Sequence, residues 1–258
     1  MTNSLPPELL NTVHCMDCLE FMRTLPDGCV DLTVTSPPYD NLRSYNNDID
    51  STREIVRKPI LKELYRITKE VVVRVVDATI NSETLTSFKQ ALYAKEDCFR
   101  MHDTMIYQKN SYPFPPSNRY FVFEYMFVLS KNPITTVLGK VLTVKHKSST
   151  QREADSISAM KYEMKEERVR DNIRKYDVGF AKTTNDKYTF NHPAMFPEEL
   201  AEDHILSRSN EDIVFDPFMS TTAKMAKKYR NYLCELSSEY CDIIHKRLQN
   251  TTVSLFHS

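Results

Sequence analysis

Glycine is nearly missing from this chain: 258 residues contain three, Gly28, Gly139 and Gly179, where average usage of ~7% would supply roughly eighteen. Tryptophan is absent altogether. Turns, helix C-caps and nucleotide-binding loops rely on glycine because it alone reaches positive φ cheaply. So large an α/β protein without it must build such features from other residues. Long apolar runs are lacking too, which excludes a membrane span. The first ten residues show no basic segment followed by an apolar core, and the six cysteines are scattered, not spaced as a framework. Together these predict a protein of the reducing cytoplasm. An overall basic charge is also wanting: the net charge is −1, and phosphate binding normally leaves a positive footprint. The average conceals an asymmetry, because Lys140 to Lys175 holds ten Lys/Arg against six Asp/Glu. That stretch could face phosphates while the rest does not.

What is present is an ordinary globular composition, 41% hydrophobic and 27% charged, long enough for one domain carrying a large insertion. Val30, Leu32 and Val34 alternate with Asp31, Thr33 and Thr35, a strand signal that ends at Pro37-Pro38. Thr52 to Lys69 carries Ile55, Val56, Ile60, Leu61, Leu64 and Ile67 at helical spacing, and Val71 to Val76 reads as a buried strand. A helix is predicted over Thr84 to Asp97, with strands at Thr104 to Gln108 and Phe121 to Leu129. From Lys131 to Tyr188 no period is sustained, and the segment reads as an insertion. Regularity returns with a helix from Pro197 to about Ser207, a strand at Ile213 to Phe215, a helix over Thr221 to Arg230, a strand at Tyr232 to Leu236 and a helix from Ser237 or Ser238. Strands alternating with helices predict an α/β fold, a mixed but mostly parallel sheet with helices on both faces.

Three constellations carry chemistry. Thr35-Ser36-Pro37-Pro38-Tyr39 follows a strand, where ligands of open α/β sheets collect. Two prolines remove two backbone donors and leave carbonyls that only accept. With the Ser36 hydroxyl and the flat Tyr39 ring, this suits an amino group on a planar base; a Pro-Pro turn with a packed tyrosine reads equally well from these five residues alone. Ile213 to Thr222, with Asp216, Pro217, Phe218, Ser220 and Thr221, is a strand running into a small-residue turn and a helix, the arrangement that presents backbone N–H groups to a polar cofactor. Glu235 ends the next strand, where a carboxylate can accept both ribose hydroxyls of a nucleoside.

Taken together these motifs resemble the β class of DNA amino-methyltransferases, which modify cytosine N4 or adenine N6. Asp17-Cys18-Leu19 and Leu25-Pro26-Asp27 lead into a Ser/Asp-Pro-Pro-Tyr catalytic motif. Phe121 to Lys131, with Glu124 and Tyr125, resembles the segment after the catalytic loop, and His192 to Pro197 the stretch that closes over the cofactor. The resemblance implies a Rossmann-like S-adenosylmethionine-dependent methyltransferase fold. It implies a catalytic half over residues 1–130, a target-recognition insertion over 131–190 and a cofactor-binding half over 191–258. It implies Ser36, Pro37, Pro38 and Tyr39 at the target base, and Asp17, Phe196, Asp216, Pro217, Phe218, Ser220, Thr221 and Glu235 at S-adenosyl-L-methionine. No metal is implied. Double-stranded DNA is the implied partner, with a cognate restriction endonuclease as a second, and the implied state is monomeric or homodimeric. A serine before Pro-Pro-Tyr favours cytosine N4. The base would be rotated out of the duplex, since its amino nitrogen is not reachable while stacked.

Other candidates are weaker. Cys15 and Cys18 have C-x₂-C spacing, but no second pair answers them for a zinc site. His192 fits a structural or lid role, the charge run Lys161 to Arg170 a solvated helix face, and Tyr112 to Pro116 a rigid loop. The chain also departs from the family it resembles. There the cofactor loop runs Asp-Pro-Phe-x-Gly-Ser-Gly-Thr-Thr; here Asp216-Pro217-Phe218-Met219-Ser220-Thr221-Thr222 is two residues short, as though both glycines had been excised. At ~3.3–3.6 Å per extended residue the missing reach is about 7 Å. Glycine is likewise missing before Glu235 and around Glu70 to Asp77, while Arg74 and Arg174 stand where an aromatic residue is usual. Scattered mutation would not select one residue type. The loop therefore predicts weak cofactor binding, and a catalytically impaired DNA-binding relative and a non-catalytic α/β scaffold are the rival readings.

Overall fold

The computed structural model describes residues 10, 12–37, 54–75, 79–80, 82–97, 99–110, 122–133, 151–153, 156–158, 172–177, 197–206, 213–218, 230–235 and 237–251. Its frame is one eight-stranded sheet. In sheet order the strands are β1 (Thr12–Cys15), β12 (Arg230–Glu235), β11 (Ile213–Asp216), β2 (Val30–Thr35), β3 (Thr68–Val75), β7 (Phe123–Ser130), β6 (Arg100–Lys109) and β10 (Ile173–Tyr176). The first five run parallel, β7 is antiparallel to β3 and β6, and β10 pairs parallel with β6. Short hairpins β4 (Thr79–Ile80) with β5 (Ser82–Glu83) and β8 (Gln151–Glu153) with β9 (Ser156–Ser158) lie outside it. A mixed, mostly parallel sheet is what the alternation of strands and helices predicted. The segment read as an insertion is not wholly separate from this sheet, because β10 lies within it and forms the edge beside β6.

Helices α1 (Cys18–Thr24), α2 (Glu54–Ile67) and α3 (Thr86–Glu96) pack one apolar layer. Cys18, Phe21 and Met22 of α1 meet Ile60, Leu61, Leu64 and Ile67 of α2, Ala94 of α3, and Phe127 and Leu129 of β7. Their spacings of three and four keep each helix's apolar residues on one stripe. Helix α4 (Glu198–Leu206) contributes Leu200, Ala201 and Ile205 to a second layer with Leu32, Val34, Met105, Tyr107, Met126 and Val214. Helix α5 (Ser238–Thr251) follows β12. The helix expected over Thr221 to Arg230 lies mostly outside the described residues. Among the described residues no helix is long and apolar enough to cross a membrane.

Strand β2 corrects a simple alternating pattern, because its threonines are as buried as its valines. A buried hydroxyl must find a partner. Thr33 shares a hydrogen bond with Thr68 at 3.0 Å, and Thr35 donates to Asp216 at 3.1 Å. Asp31, at the other end, accepts Lys69 at 2.5 Å and the Ile213 N–H at 2.8 Å, fixing β2 beside both neighbours.

Candidate functional site

The site follows from strand direction. Strands β1, β12, β11, β2 and β3 all end at one edge of the sheet, and neighbouring strands lie about 4.8 Å apart. In that order the edge presents Cys15, Glu235, Asp216 and Thr35. Ser36 and Pro37, half-buried, continue directly from Thr35. The serine of the first constellation therefore lies one strand from Asp216 and two from Glu235. Residues 181 apart in sequence become neighbours. Pro38, Tyr39, Phe196, Ser220 and Thr221 lie outside the described residues.

Asp216, Glu235 and Asp17 are each held by hydrogen bonds. Asp216 is fully buried; one of its oxygens accepts the Thr35 hydroxyl and the Phe218 N–H, both at 3.1 Å. That second bond is the side-chain turn that aspartate makes with the backbone two residues on. It directs the chain through buried Pro217 and half-buried Phe218, whose ring packs against the layer of α1 and α2. Glu235 accepts the Ser237 N–H at 2.9 Å, and Ser237 in turn accepts the Tyr240 N–H at 3.5 Å, so the end of β12 is tied to the first turn of α5. Asp17 caps α1, accepting from Leu19 N at 2.9 Å and Glu20 N at 3.0 Å.

Cysteines crowd the same end of the molecule, and sequence spacing gave no sign of it. Cys15 and Cys241, separated by 226 positions, form a disulfide with Cα atoms 6.1 Å apart. Their pairing depends on β1 lying beside β12, where Cys15 is the register partner of Glu235, and no local pattern encodes that. Cys18 and Cys234 are buried thiols. Burial, reinforced by the nearby Asp17 charge, pushes Cys18 up to about 12, and burial likewise raises Cys234. Both stay protonated at neutral pH, unsuited to nucleophilic or metal-ligand work. Among the described residues no cluster of three or more His, Cys, Asp or Glu could hold a metal ion.

Across the rest of the edge, β6 and β7 contribute an ion pair between Lys109 and buried Glu124. Beyond it Asn110 donates to Asp177 at 2.6 Å, fastening the end of β6 to that of β10. Glu124 was visible in sequence only as part of a motif; its lysine partner comes from another strand.

Comparison with known proteins agrees with this geometry. The N6/N4-type DNA methylase family matches residues 30–246. An orphan methyltransferase of Bacillus amyloliquefaciens, M.BamHII, is 50% identical over 248 positions, covering 87% of this chain and 90% of that protein. Since 87% of 258 residues is about 224, some two dozen of those positions have no counterpart here. The type II methyltransferase M.BglII of Bacillus subtilis is 26% identical, covering 95% of this chain and 71% of its own. Among solved structures, the cytosine-N4-specific PvuII DNA methyltransferase superposes with a TM-score of 0.64 at 19% identity, covering 94% of this chain and 90% of that one. A Thermus thermophilus protein, a DNA modification methylase by description, crystallised with S-adenosyl-L-methionine gives a TM-score of 0.55 at 19% identity, covering 93% and 95%.

Proposed function

The chain belongs to the N6/N4 DNA methylase family, and from that premise we propose that it methylates an exocyclic amino group of a base in double-stranded DNA, cytosine N4 in preference to adenine N6. The observation that carries this reading is the adjacency at the sheet edge: Ser36-Pro37 beside Asp216, with Glu235 one strand further. S-adenosyl-L-methionine, when bound, supplies a methyl group on a cationic sulfur that leaves readily as a neutral thioether. The protein's own task is orientation. The Ser36 hydroxyl and the Pro37 carbonyl accept hydrogen bonds from the target amino group and aim its lone pair, and Tyr39 stacks on the ring. A well-placed pair of reactants gains a large part of its rate from position alone. The nitrogen gains the methyl and releases one proton to solvent.

The donor set at the edge fits such a cofactor. Glu235 has its carboxylate oriented by the Ser237 N–H at the end of β12, the place for an acceptor of ribose hydroxyls. Asp17, Phe196, Pro217, Phe218, Ser220 and Thr221 complete the proposed cofactor surface, with Asp216 beneath it. The segment 131–190, positively charged between Lys140 and Lys175, is assigned to target recognition through phosphate contacts.

A second reading, a catalytically impaired DNA-binding relative, is favoured by the shortened cofactor loop and by the two dozen positions without counterpart. One experiment separates the two. Labelled methyl is offered from S-adenosylmethionine to mixed-sequence DNA, the modified nucleoside is identified after digestion, and Ser36→Ala runs beside the wild type. Labelled N4-methylcytosine that Ser36→Ala reduces at least ~100-fold is the expected result. Labelled N6-methyladenine would overturn the base preference, and folded wild-type protein that transfers nothing would establish the impaired reading.

A further inference from the structure

The motif that orients the target base and the motif that begins the cofactor loop are joined by one buried hydrogen bond. Thr35 ends β2 and immediately precedes Ser36; Asp216 ends β11 and immediately precedes the loop. The two side chains are 2% and 0% exposed, and the Thr35 hydroxyl donates to Asp216 at 3.1 Å. The oxygen that receives it also receives the Phe218 N–H, so one atom is shared between the strand that carries the acceptor site and the turn that carries the donor site. Strand pairing brings β2 and β11 together through Val214 with Leu32 and Phe215 with Thr33. That ladder stops before the functional ends, and the Thr35–Asp216 bond extends the connection to the last residue of each strand.

We infer that Thr35 is a positioning residue, which through Asp216 sets the separation between the transferred methyl and the amino nitrogen, and that Asp216 acts on the loop and not as a direct ligand. This rests on the methyl-transfer reading above. An error of about 1 Å in such a separation can cost on the order of 100-fold in rate, whereas the cofactor and DNA surfaces, each on its own strand, remain intact. Removing the hydroxyl should therefore slow transfer more than it weakens binding.

The test compares wild type, Thr35→Val, which keeps the shape and loses the hydroxyl, and Thr35→Ser, which keeps the hydroxyl. Three readings are taken: single-turnover methyl transfer at saturating cofactor and DNA, calorimetric binding of S-adenosylhomocysteine, and the urea unfolding midpoint. Thr35→Val is expected to transfer at least ~10-fold more slowly while binding S-adenosylhomocysteine within about threefold, and Thr35→Ser to recover most of the rate. Transfer by Thr35→Val at the wild-type rate, or a deficit that saturating cofactor abolishes, overturns the inference while leaving the methyl-transfer reading standing. Folded wild type that binds S-adenosylhomocysteine and transfers nothing overturns both. Should Thr35→Val not fold, Asp216→Asn takes its place, because the amide oxygen still accepts from Thr35 and Phe218. S-adenosylhomocysteine binding within about threefold of wild type supports positioning, and a loss beyond about tenfold would make Asp216 a direct ligand and overturn it.

Discussion

At the scale of single residues, the shortage of glycine leaves a mark on the backbone. Two described residues adopt positive φ: Gly28 at +64° and Leu85 at +54°. Gly28 suits its place, a turn whose N–H reaches the Arg66 carbonyl at 3.0 Å. Leu85 does not. It stands at the start of α3 in the left-handed region, offers no side-chain cap and is 47% exposed. Its Cβ makes that conformation cost about 1–2 kcal/mol, and so exposed a side chain returns little by burial. Leu85→Gly is therefore expected to stabilise the protein by about 0.5–1 kcal/mol, the strain relieved exceeding the added freedom of the unfolded chain. A higher urea midpoint with an unchanged slope would bear this out, and a lower midpoint would show that the leucine side chain contributes more than its backbone costs.

At the scale of elements, one side chain supplies the polar connection of α2 to the end of α1, beside the apolar packing of the two helices. The Arg66 guanidinium donates to the Met22 carbonyl at 2.6 Å, to the Leu25 carbonyl and Asp27 at 2.7 Å, and to Glu63 at 2.8 Å, while its own carbonyl accepts from Gly28 and Lys131. The two backbone carbonyls lie at the end of α1, where helical partners run out. The fork shape of the guanidinium is what allows one residue to serve both. Arg66→Ala should cost about 2–3 kcal/mol, the loss of charged hydrogen bonds to groups that are then poorly solvated, and Arg66→Lys should recover only a minor part. Chemical denaturation of the three proteins checks this, and a lysine variant as stable as wild type would show that charge alone suffices. Apart from the local Glu63 pair this was not legible in sequence, because Arg66 reads as one more polar position on an amphipathic helix and its partners Asp27, Leu25 and Met22 lie 39 to 44 positions away. The helix itself was legible, since Ile60, Leu61, Leu64 and Ile67 recur at the period that buries one face.

At the scale of the whole molecule, the proposed site is a line of strand ends drawn from the first and last thirds of the chain. The strand ends at Asp216 and Glu235, and the end of β2 one residue before Ser36, were legible from sequence, since each strand has a strong β-branched or apolar signal. What sequence could not supply was adjacency, the placing of β11 between β2 and β12 that brings the three together and puts Cys15 against Cys241. That distributed construction makes the segment after Phe218 the sensitive point, for Asp216-Pro217-Phe218-Met219-Ser220-Thr221-Thr222 has two residues fewer than the pattern of the family it resembles. The relative at 50% identity has some two dozen positions that this chain lacks, while β2, β3, β11 and β12 pair with one another in one sheet. Glycine contributes little to a strand ladder, whereas a loop that needs reach and positive φ relies on it. Inserting glycine between Met219 and Ser220, and a second between Ser220 and Thr221, should restore about 7 Å of reach and tighten binding of S-adenosylhomocysteine at least ~10-fold, about 1.4 kcal/mol. Calorimetry on the native and inserted chains decides it. Two alanines in the same places provide the control: if they tighten binding as much as the glycines do, length alone is limiting, and if they do not, the left-handed conformation that glycine permits is what the loop requires.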